Sequence, residues 1–135
     1  MISQTTRGPC LLIVDDDDSV REGFRWILQD QYRIIEAPGV DEALSIIDRE
    51  RPDLVTLDIR MPEKNGLEGL RLIRERSEDL PVVMIAAFGS IDTACEALRL
   101  GASDYLKKPC GPDQLLTSIR KNLEKSQHCH GPSAL

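Results

Sequence analysis

The carboxylates that follow two apolar segments are the residues of this chain best suited to chemistry. Four consecutive aliphatic residues, 11–14, run directly into four consecutive aspartates, 15–18. A second apolar run, residues 54–57, ends in the single carboxylate of Asp58. Like charges as crowded as those in the acidic run cost about 4 kcal/mol per pair at about 4 Å and an effective dielectric of roughly 20. A divalent cation would relieve that repulsion, so the sequence predicts a metal site.

The elements that must position these acids follow from the hydrophobic periodicity. Short apolar runs at residues 10–14, 32–35, 54–57, 82–87 and, more weakly, 105–106 predict five strands. Five segments of helical period alternate with them; Gly101 is placed as a left-handed cap after the fourth, and Pro112 lies early in the fifth. This alternation predicts an α/β fold, (βα)5, whose doubly wound parallel sheet has helices on both faces.

The start of the first helix is open to more than one interpretation. Ser19 and Glu22 form a capping-box pattern, and Asp17 or Asp18 could equally provide the cap.

Parallel strands deliver their carboxyl ends to one edge of the sheet, which is where ligands bind in open α/β folds. The first strand brings Asp15 and Asp16 to that edge, the third brings Asp58, and the fifth is followed by Lys108. A carboxylate beside a divalent cation and a lysine can act as a nucleophile toward phosphorus, while the cation and the lysine neutralise the phosphoryl oxygens. The simpler interpretation, a solvated acidic helix N-terminus, leaves Asp58 and Lys108 at matching strand ends unexplained.

The composition limits the class of protein. The chain of 135 residues, 41% hydrophobic and 30% charged, is typical of one globular domain. A net charge of −6 with no basic stripe argues against direct nucleic-acid binding. Four cysteines without a C-x-x-C pair favour reduced thiols, and no segment resembles a secretion signal or a membrane span, so we expect a cytoplasmic location. We predict a domain at residues 8–125 and a tail or linker at residues 126–135.

Three groups of residues resemble the motifs of response-regulator receiver domains of two-component signalling systems. They are Ile13-Val14-Asp15-Asp16, Leu57-Asp58-Ile59-Arg60-Met61-Pro62 followed by Gly66, and Gly101-Ala102-x-Asp104-Tyr105-Leu106-x-Lys108-Pro109. The resemblance extends over residues 8 to 125 and implies a five-stranded, flavodoxin-like sheet of order 2-1-3-4-5. Residues 88–94 and 100–102 are similar to receivers of the nitrogen-regulator type, which precede ATPase and DNA-binding domains.

The resemblance also implies a role for each site residue. Asp58 is the expected phosphoacceptor, taking a phosphoryl group from the phosphohistidine of a histidine kinase. Mg²⁺ is expected to bind Asp16, Asp58 and the backbone carbonyl of Arg60, while Asp15 acts largely through water. Such a half-hydrated oxygen shell suits Mg²⁺ better than Ca²⁺. Lys108 is expected to contact a phosphoryl oxygen, and the bond between it and the following proline is often cis in relatives.

One position departs from the family pattern. Relatives usually end the fourth strand with Thr or Ser followed by Ala, whereas this chain has Ala86 and then Ala87. The hydroxyl normally binds the phosphoryl group and lets an aromatic residue, here Tyr105, swing inward on activation. A hydrogen bond to a charged group contributes about 1.5–3 kcal/mol, so its loss would reduce the shift toward the active state by about ten- to a hundredfold. We expect phosphorylation to survive and switching to be weak.

The predicted function is a regulated switch, with no enzymatic activity beyond aspartyl phosphorylation and dephosphorylation of the domain itself. A histidine kinase or phosphotransfer protein is expected to bind at the first helix and the loops around the site. An effector, an output domain or a second copy is expected at the face made by the fourth helix, fifth strand and fifth helix. The main alternative is a pseudo-receiver that signals through protein contacts. Ala86 favours that alternative, and the complete set of acids and lysine opposes it.

Other acidic sites fit less well. A phosphatase of the haloacid-dehalogenase type needs a second acid two residues after its aspartate nucleophile, and this chain has Arg60 there. An EF-hand loop starting at Asp15 would have Val20 at the glycine position and Trp26 at the terminal glutamate position. Dinucleotide binding requires a glycine-rich loop where the first strand instead runs into carboxylates.

Overall fold

The computed structural model describes residues 8–61, 64–87 and 91–130. Five strands alternate with five helices along the described chain. In order they are β1 (Cys10–Val14), α1 (Asp18–Leu28), β2 (Arg33–Ala37), α2 (Val40–Glu50), β3 (Leu54–Asp58), α3 (Gly66–Arg76), β4 (Val82–Ala86), α4 (Ile91–Arg99), β5 (Asp104–Lys107) and α5 (Pro112–His130). The predicted α/β class and the alternation of elements are confirmed.

All four strand pairings in this sheet are parallel, and the strand order is β2-β1-β3-β4-β5. The order that the family resemblance implies is therefore confirmed. The register aligns the strand ends: Val14 lies opposite Leu57, Asp58 opposite Ile85, and Ala86 opposite Lys107. Residues that directly follow β1 and β5 consequently reach the same edge as the last residue of β3.

Two apolar clusters, one on each face of the sheet, form the core. Alternate residues of a strand point to opposite faces, so Leu12 and Val14 pack with α2 and α3 while Leu11 and Ile13 pack with α1 and α5. Strands β1, β3 and β4 are buried along their whole length, as expected for the central strands of a parallel sheet. Helices therefore cover both faces of the sheet whose carboxyl edge carries Asp58.

The start of α1 and the end of α4 are each determined by a capping residue. Asp17 is the N-cap of α1, and its side chain accepts a hydrogen bond from the backbone N–H of Ser19, which decides among the caps that the sequence left open. Gly101 has a φ of 105°, as predicted for a left-handed cap after α4.

Helix α5 is longer than the sequence pattern indicates. Apolar periodicity ends near Leu123, but the backbone stays helical to His130, five residues into the segment predicted as a tail. The first helix-breaking residues after Pro112 are Gly131 and Pro132, which lie outside the described residues. The end of the apolar pattern therefore does not mark the end of the helix. Within the described residues, none of the helices has both the length and the apolar character that crossing a bilayer requires.

Candidate metal and phosphoryl site

Three carboxylates meet at the carboxyl edge of the sheet. Asp15 follows β1 directly, Asp16 is next along the chain, and Asp58 is the last residue of β3. One carboxylate oxygen from each lies within 4.8 Å of the others. Asp15 and Asp58 are buried, whereas Asp16 is exposed. The structure thus brings together the acids that the strand pattern sends to this edge.

Lys108 lies between the two buried acids. Its Nζ is 2.9 Å from Oδ2 of Asp15 and 3.1 Å from Oδ1 of Asp58. The backbone N–H of Lys108 donates to the carbonyl of Ala86 at 2.7 Å, which extends the pairing of β5 with β4 to this residue. The Lys108–Pro109 peptide bond is cis.

Burial and neighbouring charges perturb both partners of this ion pair. Burial raises the pKa of Asp58, and repulsion from Asp15 and Asp16 adds to the effect, while Lys108 partly opposes it. For Lys108, burial acts to lower the pKa, but the hydrogen bonds and charges of Asp15 and Asp58 outweigh it, so that the pKa is raised. The Lys108 ammonium is therefore charged at neutral pH. Its charge alone does not offset the burial and repulsion that raise the pKa of Asp58.

Asp15 has both of its carboxylate oxygens engaged by the protein. Oδ1 accepts a hydrogen bond from the backbone N–H of Asp17 at 3.0 Å, and Oδ2 accepts from Lys108. The expected contact of Asp15 with a cation through water stays a prediction.

The start of α3 packs tightly against the end of β3. The N–H of Gly66 donates to the carbonyl of Ile59 at 2.7 Å. A Cβ at Gly66 would lie 2.3 Å from the backbone oxygen of Asp58, which is far too close for any side chain. Asn65 caps the helix by accepting from the N–H of Glu68. The glycine quoted in the family motif is therefore required by this close approach.

Arg60 lines an open cleft of about 630 Å³ beside the acids, together with Asp16, Ile59, Met61 and Asn65. The cleft gives small molecules access to the exposed side of the site. The expected role of the Arg60 carbonyl as a ligand stays a prediction.

Ala86 and Tyr105 lie on the other side of Asp58. Ala86 is the buried last residue of β4, so a methyl group lies at the position where the family resemblance leads us to expect a hydroxyl. The Tyr105 ring packs against the apolar cluster of α2, α3 and α4. Its hydroxyl is buried and has no hydrogen-bond partner among the described residues, and burial raises its pKa.

Sequence reasoning missed one residue of the site, Arg21 of α1. Its Nη1 donates to the backbone carbonyl of Asp15 at 2.6 Å, its Nε donates to Oε1 of Glu36 at 3.1 Å, and its Nη2 pairs with Asp18. Glu36 belongs to β2, so no local sequence pattern could have indicated this network.

A parallel sheet of this strand order, with three acids and a lysine at its carboxyl edge, defines the receiver class of flavodoxin-like signalling domains. The family model described as the response regulator receiver domain matches residues 11–120. The chain belongs to this family, the receiver domains of two-component systems.

Similar proteins include whole transcriptional regulators. The chain is 40% identical over 118 residues to the alginate biosynthesis transcriptional regulatory protein AlgB of Pseudomonas putida, covering 87% of this chain and 26% of that protein. It is 38% identical over 125 residues to the response regulator MprA of Mycobacterium sp. strain KMS, covering 92% of this chain and 54% of that protein. The chain thus spans about a quarter to a half of these relatives.

Solved structures agree with the family. NtrX from Brucella abortus, crystallised in complex with ADP, superposes with a TM-score of 0.88 at 36% identity, over 93% of this chain and 29% of that one. The signal receiver domain of a LuxO repressor protein from Vibrio parahaemolyticus gives a TM-score of 0.85 at 30% identity, over 89% of this chain and 93% of that one.

Proposed function

We propose that this receiver domain accepts a phosphoryl group on Asp58 and thereby regulates an output domain or effector. The observation that carries the proposal is the setting of Asp58. Its buried carboxylate lies 3.1 Å from the Lys108 ammonium, with an oxygen within 4.8 Å of oxygens from Asp15 and Asp16. Burial and the neighbouring acids raise the pKa of Asp58, and the Lys108 ammonium opposes that shift. A bound divalent cation would oppose it further, and so favour the ionised carboxylate that a nucleophile requires.

The donor set at this edge fits Mg²⁺. The donors are oxygens: Asp16 and Asp58 would hold the ion directly, and the Arg60 backbone carbonyl would be a third protein ligand. Asp15 would act through water, because both of its oxygens already accept hydrogen bonds from the protein. When bound, Mg²⁺ would supply the positive charge that offsets the acids and the oxygens of the transferring phosphoryl group.

The side chains then divide the work of transfer. An Asp58 carboxylate oxygen forms the new bond to phosphorus, and the bond between phosphorus and the donor nitrogen of a phosphohistidine breaks, leaving its electron pair on the imidazole. Lys108, already 3.1 Å from Oδ1 of Asp58, is within reach of a phosphoryl oxygen once Asp58 is modified. The domain modifies itself and is not a turnover enzyme.

A docking surface for the phosphodonor lies next to Lys108. An apolar cleft of about 690 Å³ runs between α1 and the segment after β5, and its lining includes Val20, Phe24 and Ile27 of α1. On the same helix, Trp26 is 68% exposed. We propose that a histidine kinase or phosphotransfer protein docks here in the cytoplasm. The face made by α4, β5 and α5, where Leu98 is 54% exposed, is proposed for the effector, the output domain or a second copy.

Ala86 supports a second candidate function, a pseudo-receiver that signals through protein–protein contacts. Without a hydroxyl at this position, the phosphoryl group loses a hydrogen bond that would draw the neighbouring loop and Tyr105 toward it. Phosphorylation without a conformational response would favour this candidate.

Intact mass spectrometry after incubation with acetyl phosphate and Mg²⁺ tests the proposal. We expect the mass of one phosphoryl group to be added to the native protein, none in Asp58→Asn, and the native result in a control, Asp30→Asn, which alters an exposed aspartate of the loop after α1. No adduct on the native protein would refute phosphoacceptance. Steady release of phosphate from phosphomonoesters would instead indicate a phosphatase.

A further inference from the structure

Arg21 connects the acidic loop to the neighbouring strand of the sheet. The arginine is largely buried, with a side chain 13% exposed, although it lies in the first turns of a surface helix. Its Nη1 contacts the backbone carbonyl of Asp15. Its Nε contacts the carboxylate of Glu36, and its Nη2 contacts the carboxylate of Asp18. A planar fork with fixed donor directions can satisfy three acceptors at once.

Glu36 anchors the arginine from the β2 side. Its Oε1 accepts from Arg21, and its Oε2 accepts from Nη1 of Arg25 at 2.8 Å. The next residue of β2, Ala37, accepts a hydrogen bond from the N–H of Asp15 at 3.2 Å. The peptide groups on both sides of Asp15 are therefore tied to the β2 side of the molecule, through its N–H and through its carbonyl.

We propose that Arg21 is a positioning residue for the cation site, holding the backbone of the acidic loop so that the carboxylates of Asp15 and Asp16 face Asp58 before the cation arrives. The inference rests on the proposed function and deepens it. Mutual repulsion pushes the three acids apart in the metal-free protein. Arg21 opposes that movement through a backbone carbonyl, so it takes up none of the carboxylate oxygens that a cation needs.

The charge of Arg21 and its geometry have opposite effects on cation binding. Removal of a guanidinium near three acids makes the local potential more negative, which by itself strengthens Mg²⁺ binding. Loss of the contact to the Asp15 carbonyl lets the acids separate, which weakens binding. Arg21→Lys separates the two effects, because lysine keeps the charge but a single ammonium cannot contact all three acceptors in these directions.

Isothermal titration calorimetry with Mg²⁺ provides the test. We expect Arg21→Lys to bind Mg²⁺ about tenfold more weakly, the usual scale for residues that orient metal ligands. The matched control is Arg25→Lys, which alters the half-exposed arginine that pairs with the same Glu36 one helical turn further along. We expect this control to stay within about twofold of the native protein. A second charge-conserving variant, Glu36→Asp, shortens the anchor from the other side and should also weaken Mg²⁺ binding.

Two further readouts separate positioning from general stabilisation. Hydrogen exchange of the Asp17 amide, which donates to Asp15, should be faster in metal-free Arg21→Lys than in the control. At low Mg²⁺, acetyl phosphate should phosphorylate Arg21→Lys more slowly than the control. At saturating Mg²⁺, the two rates should be equal.

Each outcome decides the role of Arg21. If Arg21→Lys and Glu36→Asp bind Mg²⁺ as the native protein does, or more tightly, the positioning role is overturned, and a lower unfolding free energy would then mark Arg21 as structural only. A native protein with neither Mg²⁺ binding nor a phosphoryl adduct would contradict the proposed function itself. Native binding that the variants leave unchanged would overturn the role of Arg21 alone.

Discussion

Replacing Asp58 with Asn should stabilise the protein when Mg²⁺ is absent. Asp58 has an oxygen within 4.8 Å of an oxygen from the buried Asp15, so this repulsion is at least about 3.5 kcal/mol at an effective dielectric of roughly 20. The exposed Asp16 adds a smaller repulsion, because solvent screens it. The Lys108 ammonium at 3.1 Å contributes an attraction of about 5 kcal/mol on the same scale. Burial of the charge is the largest unfavourable effect, and together with the two repulsions it exceeds the attraction of Lys108, so that the pKa of Asp58 is raised. We expect Asp58→Asn to raise the unfolding free energy by about 1–3 kcal/mol.

The pH dependence has a defined sign. Burial and repulsion raise the pKa of Asp58 in the folded protein above its unfolded value, so the folded state binds the proton more tightly. The native protein therefore loses stability as pH rises from the unfolded pKa through the folded one. The gain from Asp58→Asn should be absent below the unfolded pKa and fully present above the folded pKa.

Urea unfolding with and without Mg²⁺ measures these effects. In EDTA at neutral pH, Asp58→Asn should have the higher midpoint, while the exposed control Asp30→Asn should change the free energy by less than about 0.5 kcal/mol. Saturating Mg²⁺ should stabilise the native protein, by about 2.7 kcal/mol at a hundredfold excess over its dissociation constant, and the variant less. A variant less stable than the native protein in EDTA would refute the reasoning, because it would mean that the attraction of Lys108 outweighs the repulsion and burial.

Three further predictions concern residues around the site. Gly66→Ala should lower the unfolding free energy by about 2–4 kcal/mol in urea titrations, because its Cβ would meet the backbone of Asp58. The control Gly23→Ala adds a methyl group to open space on α1 and should be neutral or stabilising. Equal effects of the two substitutions would contradict the close approach at Gly66. Tyr105→Phe should raise the urea midpoint and increase the unfolding free energy by about 1 kcal/mol, because it removes a buried hydroxyl that has no hydrogen-bond partner in the described parts of the chain. A lower midpoint would contradict this reasoning. Ala86→Ser should enlarge the NMR shift changes at Tyr105 caused by beryllium fluoride, and large changes in the native protein already would contradict the expectation of weak switching.

The hydrophobic periodicity of the sequence predicted most of the fold. Residues 11–14 and 54–57 are apolar without interruption, which indicates central parallel strands, and the structure buries β1 and β3 completely. Placement of Asp15, Asp16 and Asp58 at one edge followed, because parallel strands end there. Their convergence also required β1 to lie beside β3. The strand order itself was implied by the family motifs, since alternation alone is compatible with several orders. Helix α5 continues beyond the last apolar repeat, since no glycine or proline interrupts residues 113–130.

Sequence alone therefore determined which residues reach the carboxyl edge, since hydrophobic period and strand ends are local properties of the chain. Only the tertiary structure decided how those residues are held there. Lys108 pairs with an acid 93 positions away, Arg21 with a glutamate 15 positions away, and the clash expected at Gly66 depends on where α3 meets β3. Such contacts depend on distances of a few ångströms between elements packed across the sheet, and packing of that kind has no period along the sequence.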